Sequence, residues 1–172
     1  KKTLGTSEIT SHAVSFYKYY SCNKFCNNSN IINYDWDEFP LIMMPPHLKN
    51  RYITFGCFQN LSKAGDDVLT IWAKILAAQP GSRLRWQSKQ LRNPAVGEQV
   101  VQRFQQLGIA PERVELHGPE SRKAYLSAHA EVDMILDTFP YPGGTTTCEA
   151  LWMGVPTLTL AGDSLLARQG AS

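Results

Sequence analysis

From Arg51 onward the chain alternates: a short run rich in β-branched and aromatic residues, then an amphipathic run at helical spacing, then another short run. No other feature of the sequence restricts the fold as strongly. The β-type runs fall at residues 52–58, 83–87, 113–117, 132–137 and 157–160. Between the first two, Val68, Leu69, Trp72, Ile75 and Leu76 recur at spacings of three and four; between the next two, Val96, Val100, Val101, Phe104 and Leu107 do the same, closed by Gly108. Residues 121–130 supply a third helical run. Strands joined through helices by short connections favour parallel pairing with right-handed crossovers, so the expected fold class is α/β, an open doubly wound parallel sheet of Rossmann-like form. Ligands of such sheets sit at the carboxyl ends of the strands, which brings the loops after Phe58, His117 and Asp137 to one edge.

Residues 1–50 read as an irregular N-terminal segment and linker, rich in Asn, Ser, Tyr and Lys, and residues 51–172 as the α/β lobe. A short helix over residues 10–20 and an extended linker through Pro40, Pro45 and Pro46 are expected. With 43% apolar and 19% charged residues, the chain can bury a core without staples. A net charge of +2 without any run of Lys or Arg argues against a nucleic-acid groove. No apolar run reaches the length of a membrane span, and Lys1-Lys2-Thr3 does not open a signal peptide, so the expected setting is cytoplasmic, with no membrane partner. The sequons at Asn27 and Asn60 matter only in a secretory compartment. Cys22 and Cys26, with His12 and His47 as distant partners, lack the spacing of a tetrahedral zinc site, so no metal site is expected. Cys57 and Cys148 read as small apolar residues of a strand and a helix.

The chemistry concentrates at Tyr141-Pro142-Gly143-Gly144-Thr145-Thr146-Thr147-Cys148-Glu149, where a strand meets a glycine turn, three hydroxyls and an acid at a helix start. Unpaired helix amides and the positive end of the dipole favour phosphate there, and the glycines let it approach. The same residues also fit a capping box, with Thr146 bonding the N3 amide and Glu149 reaching back, which needs no ligand. In the loop after the first strand, Asn60 can donate or accept a hydrogen bond, and Lys63 can meet a diphosphate or lie on the surface. After the third strand, Ser121 can cap a helix that carries Arg122 and Tyr125. Arg122 reads as a phosphate partner or a solvated surface residue, and the Tyr125 ring as a cover for a base or part of the core.

The string from Asp137 through Thr145-Thr146-Thr147-Cys148-Glu149-Ala150-Leu151-Trp152-Met153-Gly154-Val155-Pro156 resembles the C-terminal catalytic lobe of the O-GlcNAc transferase/SPINDLY-type family in its bacterial form. Residues 52–63 and the ending Ala161-Gly162-Asp163 with Arg168-Gln169-Gly170-Ala171-Ser172 extend the likeness over about residues 45–172. The resemblance implies the UDP-binding lobe of a two-lobed GT-B glycosyltransferase, usually preceded by tetratricopeptide repeats. Such enzymes transfer N-acetylglucosamine from UDP-GlcNAc to protein Ser or Thr hydroxyls. Carried over, it implies that Lys63 contacts the diphosphate in the catalytic role, with Asn60 beside it and Thr145 and Thr146 bonding phosphate oxygens. Glu149 would hold the ribose, Tyr125 with Arg122 would face uracil, and Gly144 belongs to the same substrate-binding run. The animal enzymes carry His at the Tyr125 and Gly144 positions, Gln at Asn60 and Asp at Glu149. The UDP-sugar is a donor substrate, and neither cofactor nor metal is required; Asp35-Trp36-Asp37 imitates a metal-binding signature in the wrong segment. The acceptor-side lobe and repeats are absent from the sequence, which breaks off in the helix expected after the fifth strand, so an incomplete fragment inactive alone is expected. The alternatives are a non-catalytic interaction domain that keeps the fold and a nucleotide-sugar epimerase of related architecture.

Overall fold

The computed structural model describes residues 44–171. The expectations for residues 10–20, Cys22, Cys26, Asn27 and Asp35-Trp36-Asp37 lie outside the described residues. Strands β1 (Thr54–Cys57), β2 (Arg83–Gln87), β3 (Val114–His117), β4 (Met134–Leu136) and β5 (Thr157–Leu158) form one sheet in the order β3-β2-β1-β4-β5. Every neighbouring pair is parallel, with Phe55 opposite Leu84 on one side and Met134 on the other. The fold is the expected α/β doubly wound sheet.

Strand β2 matches its sequence run, and the other four are shorter than theirs, with polar side chains at the ends of the ladders. Asp133 precedes β4, where its Oδ2 accepts from the Thr54 amide at 2.8 Å. Thr159 leaves β5 by turning its hydroxyl to Asp137 at 2.9 Å. Pro46 has helical rather than extended backbone angles and leads into a single turn, α1 (His47–Asn50). The His47 amide and Nδ1 lie 2.8 and 2.9 Å from Asp133 Oδ1, which fastens that turn to the start of β4.

Helix α2 (Asp66–Ala78) opens on two acids that complement its dipole and buries Val68, Leu69, Trp72, Ala73 and Leu76. Helix α3 (Pro94–Gln106) starts from Asn93, whose side chain accepts from the Ala95 amide, with Pro94 at its first position. Gly108 ends the run at φ +82°, a conformation that disfavours any side chain. Of the expected α3 face, only Val100 and Phe104 are buried, and Leu107 is exposed. The helix packs along β3, the edge of the sheet, and a narrower stripe suffices there. Helix α4 (Arg122–Ser127) gives way to a 3-10 turn, Ala128–Glu131, instead of running to residue 130 as α-helix. Helix α5 (Thr145–Trp152) follows β4, and the segment after β5 forms a 3-10 turn, Leu166–Ala171, where an α-helix was expected.

Alternation along the strands separates two cores. Phe55, Cys57, Leu84, Trp86, Val114 and Leu136 pack with α2 and α3, where Trp72 meets Trp86 edge to face at 5.3 Å. Phe58, Ala128, Val132, Ile135, Ala150 and Val155 form the second core, with Tyr125 packed against it. A Cβ at Gly56 would stand 2.9 Å from both Val132 methyls, so glycine there lets the segment before β4 press onto β1. Cys57 is fully buried, and burial pushes its thiol pKa far up, as expected of an apolar residue; Cys148 is exposed, contrary to expectation. Among the described residues no helix is long and apolar enough to cross a membrane, and no group of His, Cys, Asp and Glu could hold a metal ion.

Candidate functional site

The strand order reverses between β1 and β4, and the crevice beyond their carboxyl ends is where such sheets take ligands. Asp137 stands there, 4% exposed. Its Oδ1 accepts from the Gly143 amide at 2.7 Å and the Thr138 amide at 2.9 Å, and its Oδ2 from the Thr159 hydroxyl at 2.9 Å. Burial raises the Asp137 pKa, opposed by those donors and by the charge of Lys63. These bonds fix the loop from Thr138 to Gly144. A Cβ on Gly143 would collide with the Gln59 amide and the Thr146 and Thr147 hydroxyls, so only glycine fits.

Helix α5 then begins with Gly144 as its N-cap and no side-chain cap; its backbone ladder opens with Cys148 N donating to Gly144 O. The first-turn amides therefore face the crevice with the dipole behind them. The capping box, the alternative reading of these residues, does not form. Glu149 turns instead to α4, where Arg122 Nη2 lies 2.7 Å from its Oε1 and the Tyr125 hydroxyl donates to its Oε2 at 2.8 Å. A buried acid with two such partners gains more from this tertiary arrangement than from one cap bond. Burial and then the charge of Glu149 push the Tyr125 pKa far up, so its hydroxyl remains a donor at any physiological pH. The Tyr125 ring meets Phe58 edge-on at 5.5 Å and also lines the crevice, which reconciles the two sequence readings of this residue.

Lys63 closes the other side. The Asn60 side chain accepts from the Ser62 amide at 2.9 Å and so starts the 3-10 turn, Leu61–Lys63, that carries the lysine. Lys63 Nζ lies 3.2 Å from Pro142 O, 3.4 Å from Gln59 Oε1 and 4.9 Å from the centre of the Tyr141 ring. Gln59 joins the two walls, because its Nε2 lies 2.6 Å from Thr146 Oγ1 and 3.2 Å from Asp137 Oδ1. The lysine and the threonine thus meet through one buried amide.

A cavity of about 570 Å³ opens beside these groups, lined by Asn60, Arg122, Tyr125, Thr145, Thr146 and Glu149, among others. That size suits a nucleotide. Lys63 and Gly144 do not line it. Lys63 stands at the glycine loop, and Gly144 faces the C-terminal segment, where a Cβ would come within 2.7 Å of Gln169 Nε2. Sequence reasoning missed Gln59 and Asp137, and also the stretch from Gln87 to Gln90 that forms a further wall. The position of Gln87 at the carboxyl end of β2 was the available signal for that wall.

Residues 45–172 match the family model described as glycosyl transferase family 41. The chain is 42% identical over 125 residues to the probable UDP-N-acetylglucosamine–peptide N-acetylglucosaminyltransferase SPINDLY of Solanum lycopersicum, covering 69% of this chain and 13% of the relative. It is 31% identical over 119 residues to the probable enzyme of the same description named SEC from Arabidopsis thaliana, covering 69% of this chain and 12% of that one. A solved structure, a mutant O-GlcNAc transferase of Thermobaculum terrenum, superposes with a TM-score of 0.68 at 43% identity, over 70% of this chain and 23% of that chain.

Proposed function

The chain belongs to glycosyl transferase family 41, and from that premise we propose that its crevice binds the nucleotide-sugar donor of a protein O-glycosyltransferase. The observation that carries the reading is the convergence of the Lys63 ammonium and the Thr146 hydroxyl on the buried Gln59 amide, beside the uncapped start of α5. The relatives are named for UDP-N-acetylglucosamine and a peptide acceptor, so UDP-GlcNAc and protein Ser/Thr hydroxyls are the proposed substrates.

When the sugar bond of such a donor breaks, negative charge grows on the diphosphate. A lysine, hydroxyls and helix amides fixed beforehand stabilise that charge more than they stabilise the bound donor, which is what accelerates transfer. Lys63 and the α5 start are held in this way by Pro142, Gln59 and Asp137. No metal or cofactor enters the proposal, since the cationic amine and the helix end supply the positive charge. Glu149, held between Arg122 and Tyr125, offers carboxylate oxygens to a ribose diol, with the Tyr125 ring and the Gln87 wall left for the base. The chain spans about 13% of the length of the curated relatives it matches, and transfer also needs acceptor-side groups. The proposal therefore assigns donor binding to these residues and turnover to a longer assembly.

Calorimetric titration with UDP tests the reading. Binding in the micromolar range is expected, with a loss of about tenfold or more in Lys63→Ala and in Thr146→Ala. Absence of binding at millimolar UDP, or binding indifferent to both substitutions, overturns it.

A further inference from the structure

Gln59 is 3% exposed, and its side-chain end touches three groups whose hydrogen-bonding options are fixed by chemistry. Asp137 Oδ1 already accepts from two backbone amides, Gly143 N and Thr138 N, so that oxygen acts as an acceptor. The Gln59 group facing it at 3.2 Å must then be the NH₂ and not the carbonyl. Lys63 Nζ, which can only donate, lies 3.4 Å from the other end, consistent with Oε1 there. The amide orientation is thereby determined from both sides. Its second N–H points at Thr146 Oγ1, 2.6 Å away.

An amide nitrogen has no lone pair to accept with, so Thr146 Oγ1 must be the acceptor in this bond. Its hydroxyl hydrogen is free to rotate but cannot lie along that direction. Thr146 lines the cavity. We propose that Gln59 is a positioning residue that commits the Thr146 hydroxyl to donate into the crevice, so that the site selects ligands presenting an accept-only phosphate oxygen there. The proposal rests on the nucleotide-binding reading and sharpens it. The orientation passes from Asp137 through Gln59 to Thr146, and the same amide ties Lys63 to that arrangement. A phosphate oxygen meets an aligned donor and a nearby ammonium, whereas the nucleoside part of a ligand meets neither.

The test compares UDP with uridine by calorimetry on the 172-residue chain. Gln59→Met keeps length and volume but removes the amide. It is expected to weaken UDP about tenfold while leaving uridine unchanged. In a Thr146→Ala background the same substitution is expected to cost little further, because its effect runs through that hydroxyl. Equal weakening of UDP and uridine would assign Gln59 a merely structural role and overturn the proposal, as would losses that add in full with Thr146→Ala. Where Gln59→Met folds poorly by thermal melting, Gln59→Leu takes its place. That side chain also lacks the amide and adds no charge beside Asp137, so UDP must weaken and uridine must not. Wild-type chain that binds no UDP sinks the donor-binding reading itself, whereas wild-type binding with an unaffected Gln59→Met sinks only the role of Gln59.

Discussion

The two faces of the sheet are held by different kinds of interaction. Toward α2 and α3 the buried side chains are almost wholly apolar: Trp72, Trp86, Phe104, Leu76, Leu84 and Ile109 are each at most 2% exposed. Toward α4 and α5, apolar residues such as Val132 and Ile135 share the interior with Arg85, Gln87, His129, Asp137 and Glu149. Arg85 is 4% exposed and holds Glu131 at 2.7 Å and Gln87 at 2.9 Å. Apolar burial is non-directional and tolerates repacking, whereas each buried polar group needs its own partner in place. Apart from Trp86, whose Nε1 donates to Gln59 O at 3.1 Å, and Cys57, whose Sγ accepts from the Gln59 amide at 3.5 Å, the first face can therefore vary without touching the crevice. The second face and the crevice are one structure.

The largest effect that could break this contrast is on the first face. Phe104→Ala removes a fully buried ring and is expected to cost about 3–5 kcal/mol in denaturant unfolding. UDP affinity of the folded protein should remain as in wild type. A drop in that affinity would show that the faces are not separable.

A pH experiment addresses the second face. His129 is 0% exposed, stacked on Phe58 at 4.0 Å, with Nδ1 3.2 Å from the carbonyls of Tyr125 and Leu126. Burial lowers its pKa from 6.5 to about 4, with Arg85 acting in the same direction and the helix carbonyls and Glu149 opposing. Below pH 6.5 the unfolded chain takes up a proton that the folded chain refuses until about pH 4. Stability is thus fully present above that window and falls by roughly 3 kcal/mol as pH drops through it. Urea midpoints measured at pH 7 and pH 4.5 should diverge less in His129→Phe than in wild type. An unchanged slope would assign the acid sensitivity to other groups. The buried titratable group of the first face, Cys57, has its pKa moved up and contributes nothing in this range.

The first face was the more legible of the two. Spacings of three and four along α2 named Val68, Leu69, Trp72 and Leu76 correctly, because apolar burial leaves a periodic trace in the sequence. On the second face the sequence located the glycine loop, Lys63 and Thr146, since strand ends and helix starts are local features. It left Glu149 open between a cap and a ligand contact, because only the folded chain shows that Arg122 and Tyr125 reach it. Gln59 and Asp137 went unnoticed for a similar reason. They follow strands far apart in sequence, and they meet only because β1 and β4 are neighbours.

Glu149→Gln probes that tertiary use. Losing the charge weakens the bond to Arg122, which is expected to cost about 2 kcal/mol of stability. In the proposed role the acid holds ribose, so uridine and UDP should both weaken, each by about tenfold. That pattern differs from the one expected of Gln59→Met, which spares uridine. Identical patterns in the two variants would mean that the nucleoside and phosphate portions of the crevice are not distinct.

The smallest effect makes the most direct comparison, because the same kind of bond occurs on both faces. The Asn93 side chain accepts from the Ala95 amide at 3.1 Å and starts α3, and the Ser121 hydroxyl accepts from the Ala124 amide at 3.2 Å and starts α4. Replacing either residue by Ala removes a helix cap, at about 1 kcal/mol each. No residue of helix α3 lines the crevice, so Asn93→Ala should lower stability and leave UDP binding alone. Helix α4 is six residues long and carries both partners of Glu149, so fraying its first turn releases Arg122 from its position. Ser121→Ala should therefore weaken UDP severalfold at a stability cost matched by Asn93→Ala. Equal behaviour of the two variants in the titration would show that the crevice does not depend on how its own helix is anchored, and the contrast between the faces would then concern composition alone.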